Sequence, residues 1–249
     1  MIFRIFRVIM AHRITFLDKF TYLCNKIAQT ELYYQNRKQN REPMIEETPQ
    51  DGMGRTQRAI KRATDIVCSA VGLVVLSPVF LLIMILMKCQ KNGPVFFRQI
   101  RIGYGAKPFV IFKFRTMSSV IEENGPQLVA RCDNTNSTRL EQFLRGHHLD
   151  ELPQMWNVLR GDMSLVGPRP ERKYFIDQIM AVDSSYSIIY RMRPGLTSEA
   201  TLYNGYTDTM EKMIRRLHMD IDYYRRRSLW LDFKIAAKTV ICIVTGKKF

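Results

Sequence analysis

An uncharged stretch at positions 66–87, IVCSAVGLVVLSPVFLLIMILM, constrains the fold of this chain more than any other feature. It is long enough to supply the roughly 20 apolar residues that the hydrocarbon core of a bilayer requires. Positive charge flanks both ends, with Lys61 and Arg62 before the stretch and Lys88 and Lys91 after it. Because cytoplasmic segments carry an excess of lysine and arginine, this pattern places both ends in the cytoplasm, which a straight span does not allow.

Ser77 and Pro78 lie in the middle of the stretch. Because proline removes a helical hydrogen bond and bends the axis, the pair predicts a break in the helix. A helix that enters one leaflet, kinks at this break and returns accounts for the positive charge at both ends. A kinked full span and a buried helix of a soluble protein remain alternatives, since membrane helices also tolerate proline.

The sequence around this stretch divides the chain into three parts: residues 1–58, a basic N-terminal extension and polar linker; residues 59–92, the re-entrant helix; and residues 93–249, a folded domain. The extension begins MIFRIFRVIMAHRITF, in which basic residues interrupt the apolar ones. This pattern predicts an amphipathic helix on a membrane surface, with a dispensable tail as the alternative. Residues 35–58 contain few large apolar side chains, as is typical of a linker.

Two β-rich segments, GPVFFRQIRIG and KPFVIFKFRTM, are joined by YGA and predict a β-hairpin. Alternation in the second segment places Val110, Phe112 and Phe114 on one face, and Lys113 and Arg115 on the other. Two neighbouring cations on a strand suit a phosphate group. A solvated sheet face is the alternative interpretation.

The rest of the folded domain is predicted to be mainly helical. STRLEQFLRG has apolar residues at helical spacing and ends at Gly146, and residues 172–193 and 209–245 also show helical patterns. The last segment, SLWLDFKIAAKTVICIV, is apolar enough to lie at a membrane interface, but its charged residues argue against a second span. We therefore expect a small, mainly helical α+β domain, attached to the membrane by the re-entrant helix and by interfacial amphipathic helices.

The net charge of +15 indicates an anionic partner, which nucleic acid, a phosphorylated substrate or acidic lipid headgroups could each provide. A nucleic-acid-binding protein does not account for the uncharged stretch, and the sequence contains no RNA- or DNA-binding motif, so we expect no nucleic-acid partner. The five cysteines are scattered without a CxxC pair, which argues against a disulfide framework or zinc site and favours a reducing compartment.

The segment LDELPQMWNVLRGD, residues 149–162, predicts a two-turn helix that ends at Gly161. Its apolar side chains fall on one face, which we expect to be buried: Leu152, Met155, Trp156 and Leu159. Asp150 is then the predicted N-cap, and Pro153 falls in the first turn, where its missing N–H is harmless.

Asp150 and Glu151 would then lie at the positive end of the helix dipole. Simple capping explains such a pair, but Arg145 precedes it, and Arg169 follows within a Gly-Pro-Arg-Pro corner whose prolines fix the backbone. Arginines beside carboxylates suit a phosphate bridged by Mg²⁺, in which one carboxylate holds the metal. The second carboxylate is then free to act as a nucleophile on phosphorus.

The ordered motifs KRATDIV, LSPVF, GPVFFRQIRIG, FKFRTM, LDELPQMWNVLRGDMSLVGPRPE and RPGLT closely resemble the bacterial sugar transferases, the monotopic phosphoglycosyl transferases. The resemblance runs from about Lys61 to Thr245. It implies an enzyme that transfers a sugar-1-phosphate from a nucleoside diphosphate sugar, usually a UDP-sugar, to polyprenol (undecaprenyl) phosphate and releases UMP. It also implies that residues 93–249 are the catalytic domain.

The resemblance implies roles for particular residues. Asp150 would be the nucleophile that forms a covalent aspartyl phospho-sugar intermediate, and Glu151 would coordinate Mg²⁺. The family's essential basic positions match Lys113, Arg145 and Arg169, which would stabilise phosphate charge in the transition state.

The resemblance also implies a location and partners. Ser77-Pro78 matches the break in the family's re-entrant anchor, so the protein is expected at the bacterial inner membrane, with its catalytic domain on the cytoplasmic face and in contact with membrane lipid. The reaction would initiate polysaccharide or glycoconjugate assembly, with downstream glycosyltransferases as further partners.

The segment RPGLTSEATLYNGYTD, residues 193–208, departs from the family, whose members often continue GWAQVNGR after PGIT. Ser198 replaces a glycine, and Tyr206 stands where the family often has an arginine. Arg193 and Tyr206, together with Arg115 of the predicted hairpin, are candidate substrate-binding residues, and the sugar and base of the donor stay open. A catalytically inactive membrane scaffold is the competing interpretation, against which the intact acidic pair argues.

Overall fold

A computed structural model describes residues 49–90, 93–116, 138–204, 207 and 209–245. The predicted amphipathic extension and most of the predicted linker fall within residues 1–48, outside this part of the chain. Tyr206 also lies outside the described residues.

The described residues form eight α-helices and four short strands, connected by turns and three 3₁₀ segments. In chain order they are α1 (Arg55–Val75), α2 (Ser77–Cys89), β1 (Phe96–Ile102), a 3₁₀ turn (Tyr104–Ala106), β2 (Pro108–Phe114), α3 (Arg139–Gly146), a 3₁₀ turn (Leu149–Glu151), α4 (Gln154–Arg160), β3 (Ser164–Val166), α5 (Lys173–Val182), a 3₁₀ segment (Ser184–Arg191), β4 (Gly195–Thr197), α6 (Glu199–Asn204), α7 (Met210–Arg226) and α8 (Leu229–Thr245).

The predicted α+β class is confirmed, with the helices in the majority. Strands β1 and β2 form the predicted antiparallel hairpin, in which Phe97 lies opposite Lys113. Strands β3 and β4 form a parallel pair that the sequence did not predict. Their backbones approach so closely that a Cβ on Gly195 would lie 2.2 Å from the nitrogen of Gly167, so glycine is required there.

The helix axis breaks at the predicted position. Helices α1 and α2 meet at Leu76 with a bend of 57°. Ser77 Oγ donates to the carbonyl oxygen of Val74 at 2.7 Å, and Pro78 falls in the first turn of α2, where it costs no hydrogen bond. Among the described residues no single helix has the length and apolar character of a membrane span, whereas the bent pair has both. Its return to the same side of a membrane stays a prediction.

Helix α2, which with α1 forms the predicted membrane anchor, contacts the hairpin and α3. Helix α2 packs by Ile83 and Met87 against Phe114 at the end of the hairpin and Leu144 of α3. The rings of Phe80 and Phe114 have centroids 5.6 Å apart. A separate, larger core joins α5, the 3₁₀ segment after it, α7 and α8. The hairpin end and α3 are therefore held directly against the anchor.

The end of the predicted linker is packed. Met53 is 1% exposed, and the backbone N–H of Gly52 donates to the carbonyl oxygen of Tyr224 at 3.0 Å. The carboxylate of Asp51 accepts hydrogen bonds from Arg227, at the corner between α7 and α8, and from Arg58. Residues 51–53 therefore fasten the start of α1 to the helical core.

Candidate active site

Strand β2 places Lys113 beside the acidic pair. The preceding residue on the same face of the strand, Ile111, is buried against α4. Ile111 is 3% exposed and packs with Val158 of α4 and with Met163. Residues two apart on a strand point to the same side, so Lys113 also faces α4. Its Nζ reaches the carboxylate of Glu151 at 2.7 Å.

Asn157 of α4 fixes the height of β2 against the helix. Its side-chain Nδ2 donates to the carbonyl oxygen of Val110 at 2.7 Å, and its Oδ1 accepts from the N–H of Phe112 at 3.2 Å. The side-chain amide of Asn157 thus pairs with one backbone carbonyl and one backbone N–H of β2, as a neighbouring strand would. Sequence reasoning missed Asn157, because helical spacing marks apolar faces and gives no signal for a buried amide.

The predicted N-cap role of Asp150 is wrong. Asp150 lies within the 3₁₀ turn Leu149–Glu151, and α4 begins later, at Gln154, with Pro153 in the capping position and no side-chain cap. The reason lies in the backbone: Glu151 N–H donates to the carbonyl oxygen of His148, so the chain is already coiled before the helix starts. An N-cap needs extended backbone, which Asp150 does not have.

The prediction that the apolar stripe of this helix is buried is also wrong. Trp156 is 53% exposed. The remaining stripe residues are half-buried: Leu152, Met155 and Leu159. The buried face instead carries Gln154, Asn157 and Val158, because the amide of Asn157 has backbone partners on β2. Met155 lies against α1, where a Cβ on Gly72 would be 3.0 Å from its sulfur.

Glu151 is held between two cations. Lys113 Nζ and Arg169 Nη2 both donate to Oε1 of Glu151, at 2.7 and 3.0 Å. Burial alone would raise the pKa of Glu151, but the charges of Arg169 and Lys113 together hold it well below its ordinary value. Glu151 is therefore ionised throughout the physiological pH range.

Asp150 has the opposite environment. It is 8% exposed, and its Oδ1 accepts no hydrogen bond from any residue that the structure describes. Burial, and after it the charge of Glu151, raises the pKa of Asp150 to about 6. An ionised carboxylate oxygen without a hydrogen-bond donor, such as Oδ1 of Asp150, keeps its lone pairs available for reaction.

A second ion cluster, centred on Glu171, follows Arg169 in the chain. Glu171, two residues further on, accepts from Arg101 Nη1 at 3.4 Å and forms a shorter ion pair with Arg216 of α7. The charge of Glu151, followed by those of Glu171 and Asp150, raises the pKa of Arg169. Sequence reasoning missed this cluster, although the GPRPE motif itself contains Glu171.

Two other predicted site residues, Arg145 and Arg115, lie on different parts of the fold. Arg145 is in the last turn of α3, and its carbonyl oxygen accepts from the N–H of His148 at 3.2 Å. Strand β2 ends at Phe114, so Arg115 lies beyond it; Arg115 is buried, with its Nη2 3.5 Å from Oε1 of Glu141. Lys113 and Arg115 therefore contact different carboxylates, those of Glu151 and Glu141.

Arg193 contacts the opposite end of α4 from the acidic pair. Its Nε donates to the carbonyl oxygen of Gly161 at 3.0 Å, and its guanidinium lies over the ring of Tyr104 at 5.6 Å. Gly161 ends α4 in the left-handed conformation, as predicted, with φ of 102°. The structure thus places Arg193 at the helix C-terminus.

His148 joins α3 to the acidic pair through an unusual backbone conformation. Its φ is 54°, in the left-handed region that costs a non-glycine residue on the order of 1 kcal/mol. His148 is half-buried, and burial lowers the pKa of its ring. A neutral His148 adds no positive charge to the site.

Comparison with known proteins identifies the family. The profile of the family described as Bacterial sugar transferase matches residues 56–246. A UDP-glucose:undecaprenyl-phosphate glucose-1-phosphate transferase of Caulobacter vibrioides is 43% identical over 188 residues, covering 74% of this chain and 70% of that protein. A protein with the same name from Klebsiella pneumoniae is 41% identical over 182 residues, covering 72% of this chain and 39% of the relative.

A third relative acts on a different sugar according to its name. The UDP-N-acetylgalactosamine-undecaprenyl-phosphate N-acetylgalactosaminephosphotransferase of Aeromonas hydrophila is 38% identical over 187 residues, covering 75% of this chain and 44% of the relative. The chain spans about two fifths of the length of the Klebsiella and Aeromonas proteins. The profile match extends from the start of α1 through α8 and includes every residue of the acidic pair and its cations. The chain therefore belongs to the bacterial sugar transferase family.

Proposed function

We propose that this protein transfers a sugar-1-phosphate from a nucleoside diphosphate sugar, a UDP-sugar, to undecaprenyl phosphate. The reaction named for the relatives supports this donor class and acceptor. The single observation that carries the proposal is the unequal acidic pair: Glu151 is held ionised by two cations, while Asp150 beside it has an unpartnered oxygen and a raised pKa. Neighbouring groups with separated pKa values are suited to separate roles.

In the first step, an oxygen of the Asp150 carboxylate attacks the phosphorus that carries the sugar. A bond forms between this oxygen and phosphorus, and the bond from phosphorus to the bridging oxygen of the diphosphate breaks. UMP leaves with that oxygen and its electron pair, and the sugar phosphate is attached to Asp150. An ionised carboxylate needs no general base for this step.

In the second step, a phosphate oxygen of the polyprenol phosphate attacks the same phosphorus. The bond to Asp150 breaks, the carboxylate is restored, and the sugar is linked through a diphosphate to the lipid. In both steps an anionic oxygen attacks this phosphorus and another anionic oxygen leaves it, so negative charge builds up around the phosphorus. We expect Lys113 and Arg169, which contact Glu151, to stabilise that charge.

The charges of the site favour Mg²⁺ as the cofactor. The two carboxylates and the two cations that contact Glu151 cancel formally, so a bound diphosphate adds negative charge that these groups do not balance. Glu151, which carries a negative charge, is the oxygen donor that would hold the ion, and Asp150 stays free to react. Within the described residues no three His, Cys, Asp or Glu side chains converge on one point. Mg²⁺ in phosphate-transfer sites is commonly held by one or two carboxylates together with substrate phosphates. Bound there, Mg²⁺ would neutralise phosphate charge.

The exposed apolar side chains support attachment to a membrane. Both anchor helices expose them, for example Val71 and Leu82, and α8 exposes Trp230 and Phe233 as a stacked pair. Lys234 lies over the ring of Trp230 at 5.3 Å, an arrangement suited to a headgroup region. The exposed Trp156 beside the acidic pair has the same character. We propose that these surfaces contact lipid of the bacterial inner membrane, with the site on the cytoplasmic face.

A donor panel tests the proposal. The full chain in nanodiscs is incubated with Mg²⁺, undecaprenyl phosphate and one UDP-sugar at a time, including the glucose and N-acetylgalactosamine donors, and released UMP is measured. We expect UMP release with at least one donor and its loss when Mg²⁺ is chelated. UMP release that continues unchanged without undecaprenyl phosphate, as simple hydrolysis of the donor, would contradict the transfer reaction.

A further inference from the structure

Three polar side chains in the first part of α1 do not face solvent, as charges that flank a membrane segment would. Lys61 Nζ donates to the carbonyl oxygen of Val166 at 2.9 Å and to Asp232 of α8 at 2.5 Å. Asp65 accepts from Ser164 Oγ at 2.8 Å and from the N–H of Leu165 at 3.0 Å. These contacts fasten α1 to both ends of β3.

Arg62, between them, contacts the helix that follows the acidic pair. Its Nη1 donates to the carbonyl oxygen of Val158 at 2.7 Å, and its Nη2 to that of Leu159 at 2.9 Å. These are carbonyls of the last turn of α4, and the carbonyl oxygen of Val158 also accepts from the N–H of Gly161 at 3.1 Å. A Cβ on Gly161 would lie 3.2 Å from Nη2 of Arg62, so the glycine that ends α4 also leaves room for the guanidinium.

The Arg62 contact holds the C-terminal end of α4 against α1, and Met155 packs on α1 closer to the acidic pair. Helix α4 has seven residues and is about 10 Å long, with the acidic pair just before its first turn and Arg62 at its last. A helix this short transmits a displacement of one end to the other. Arg62 thus connects α1 by two hydrogen bonds to the helix that follows the acidic pair.

We propose that Arg62 is a positioning residue that fixes the depth of Asp150 relative to the membrane, and that it serves the acceptor step more than the donor step. This inference rests on the proposed two-step transfer. The donor is a soluble nucleotide sugar that diffuses to the site wherever the site lies. The phosphate of the acceptor is held at the membrane surface by its own lipid, so its reaction depends on the height of Asp150.

The two steps can be measured separately on the full chain in nanodiscs. With a UDP-sugar and Mg²⁺ alone, the first step releases UMP in a burst whose amplitude counts the active sites. Addition of undecaprenyl phosphate then gives the rate of transfer for each active site. Because transfer is normalised to the burst, partial misfolding of a variant lowers the amplitude without changing the ratio of the two rates.

For Arg62→Gln we expect the transfer rate per active site to fall about tenfold or more, because misplacement of a reacting group by an ångström costs up to about a hundredfold. The burst rate should change by less than about twofold. Arg62→Lys, which can still donate to one of the two carbonyl oxygens, should restore part of the transfer rate. Arg160→Gln, a change of one charge on the exposed side of the same helix, should leave both rates unchanged.

Arg193→Gln is the matched comparison, because Arg193 caps the same helix end from within the catalytic domain and not from the anchor. It should not slow transfer selectively. Equal slowing of both steps in Arg62→Gln, or no slowing of either, would overturn the inference. Absence of any burst or transfer in the wild-type protein would instead contradict the proposed function, so the two failures are distinguishable.

Discussion

Asp150 and Glu151 are consecutive residues of one 3₁₀ turn, yet their carboxylates have opposite electrostatic surroundings. Two cations converge on one oxygen of Glu151, whereas Oδ1 of Asp150 is buried without a hydrogen-bond donor among the described residues. The pKa of Glu151 is consequently lowered and that of Asp150 raised. In the proposed reaction, this difference assigns the metal to Glu151 and the covalent bond to Asp150.

Replacement of Asp150 by asparagine tests the covalent role. Asp150→Asn keeps the volume of the side chain and removes the nucleophilic oxygen charge, so both the UMP burst and turnover should fall by about 10³-fold or more. Mass spectrometry of quenched wild-type enzyme should show one sugar phosphate attached to Asp150, and the variant should show none. Asp177→Asn, which alters an exposed ion pair on α5, is the control. Substantial turnover by Asp150→Asn would show that Asp150 is not the nucleophile.

The pH dependence of kcat/KM should report the ionisation of Asp150 in the free enzyme. The reactive form is the carboxylate, and its pKa is raised to about 6, so activity should rise as the pH increases through about 6 and be reduced below it. The measurement is the initial rate of UMP release between pH 4.5 and 8 in steps of about half a unit, at low donor concentration. An acidic inflection at about pH 4, the ordinary pKa of aspartate, would show that burial does not raise the pKa of Asp150.

Replacement of Glu151 by glutamine tests the metal role. Glu151→Gln removes the charge that Lys113 and Arg169 share and one proposed ligand of Mg²⁺, so turnover should fall by about 10²-fold or more. The concentration of Mg²⁺ that gives half of the maximal rate should rise. Rates are measured across a magnesium titration for the variant, the wild type and Asp177→Asn. An unchanged magnesium dependence in Glu151→Gln would count against metal binding by this side chain.

Local signals in the sequence were enough to predict several elements. The turn between two β-rich segments predicted the hairpin, Gly161 and Gly146 predicted helix ends, and Ser77-Pro78 predicted the break between α1 and α2. Each of these depends on the conformational preference of one or two residues, which acts whatever surrounds them. The motifs that resembled the family were also local, and the family itself is confirmed.

Features that depend on distant partners were not predictable in the same way. Helical spacing showed that one face of α4 is apolar, but it could not show that Asn157 would find backbone partners on β2 and turn the other face inward. The N-cap expected at Asp150 failed because the preceding backbone, from His148 onward, was already coiled. Likewise, Arg62 looked like a charge that flanks a membrane segment until its carbonyl partners on α4 were known.

Asn157 should contribute to stability as well as to the position of Lys113. Asn157→Ala removes a buried side chain and leaves the carbonyl oxygen of Val110 and the N–H of Phe112 without their partner in a partly buried setting, which costs about 1–3 kcal/mol. We expect a lower Tm in thermal unfolding of the detergent-solubilised protein, with reduced activity. Asn204→Ala, which removes a single half-buried hydrogen bond on α6, should cost less. Equal Tm values for Asn157→Ala and wild type would contradict the bridging role.

The break at Ser77-Pro78 makes a prediction about topology. If the bent pair enters and leaves through the same leaflet, residues on either side of it must be accessible from the same side of the membrane. In a background with all five native cysteines replaced, single cysteines at the exposed positions Thr56 and Lys107 should both be labelled by an impermeant maleimide only after the cytoplasmic side is opened.

Pro78→Leu restores the missing backbone donor and removes the steric cause of the bend, so it should shift a fraction of the molecules toward a straight span. In those molecules the two positions would be labelled from opposite sides. Labelling from opposite sides in the protein with Pro78 intact would rule out the re-entrant arrangement and, with it, a site on the same side as the start of α1.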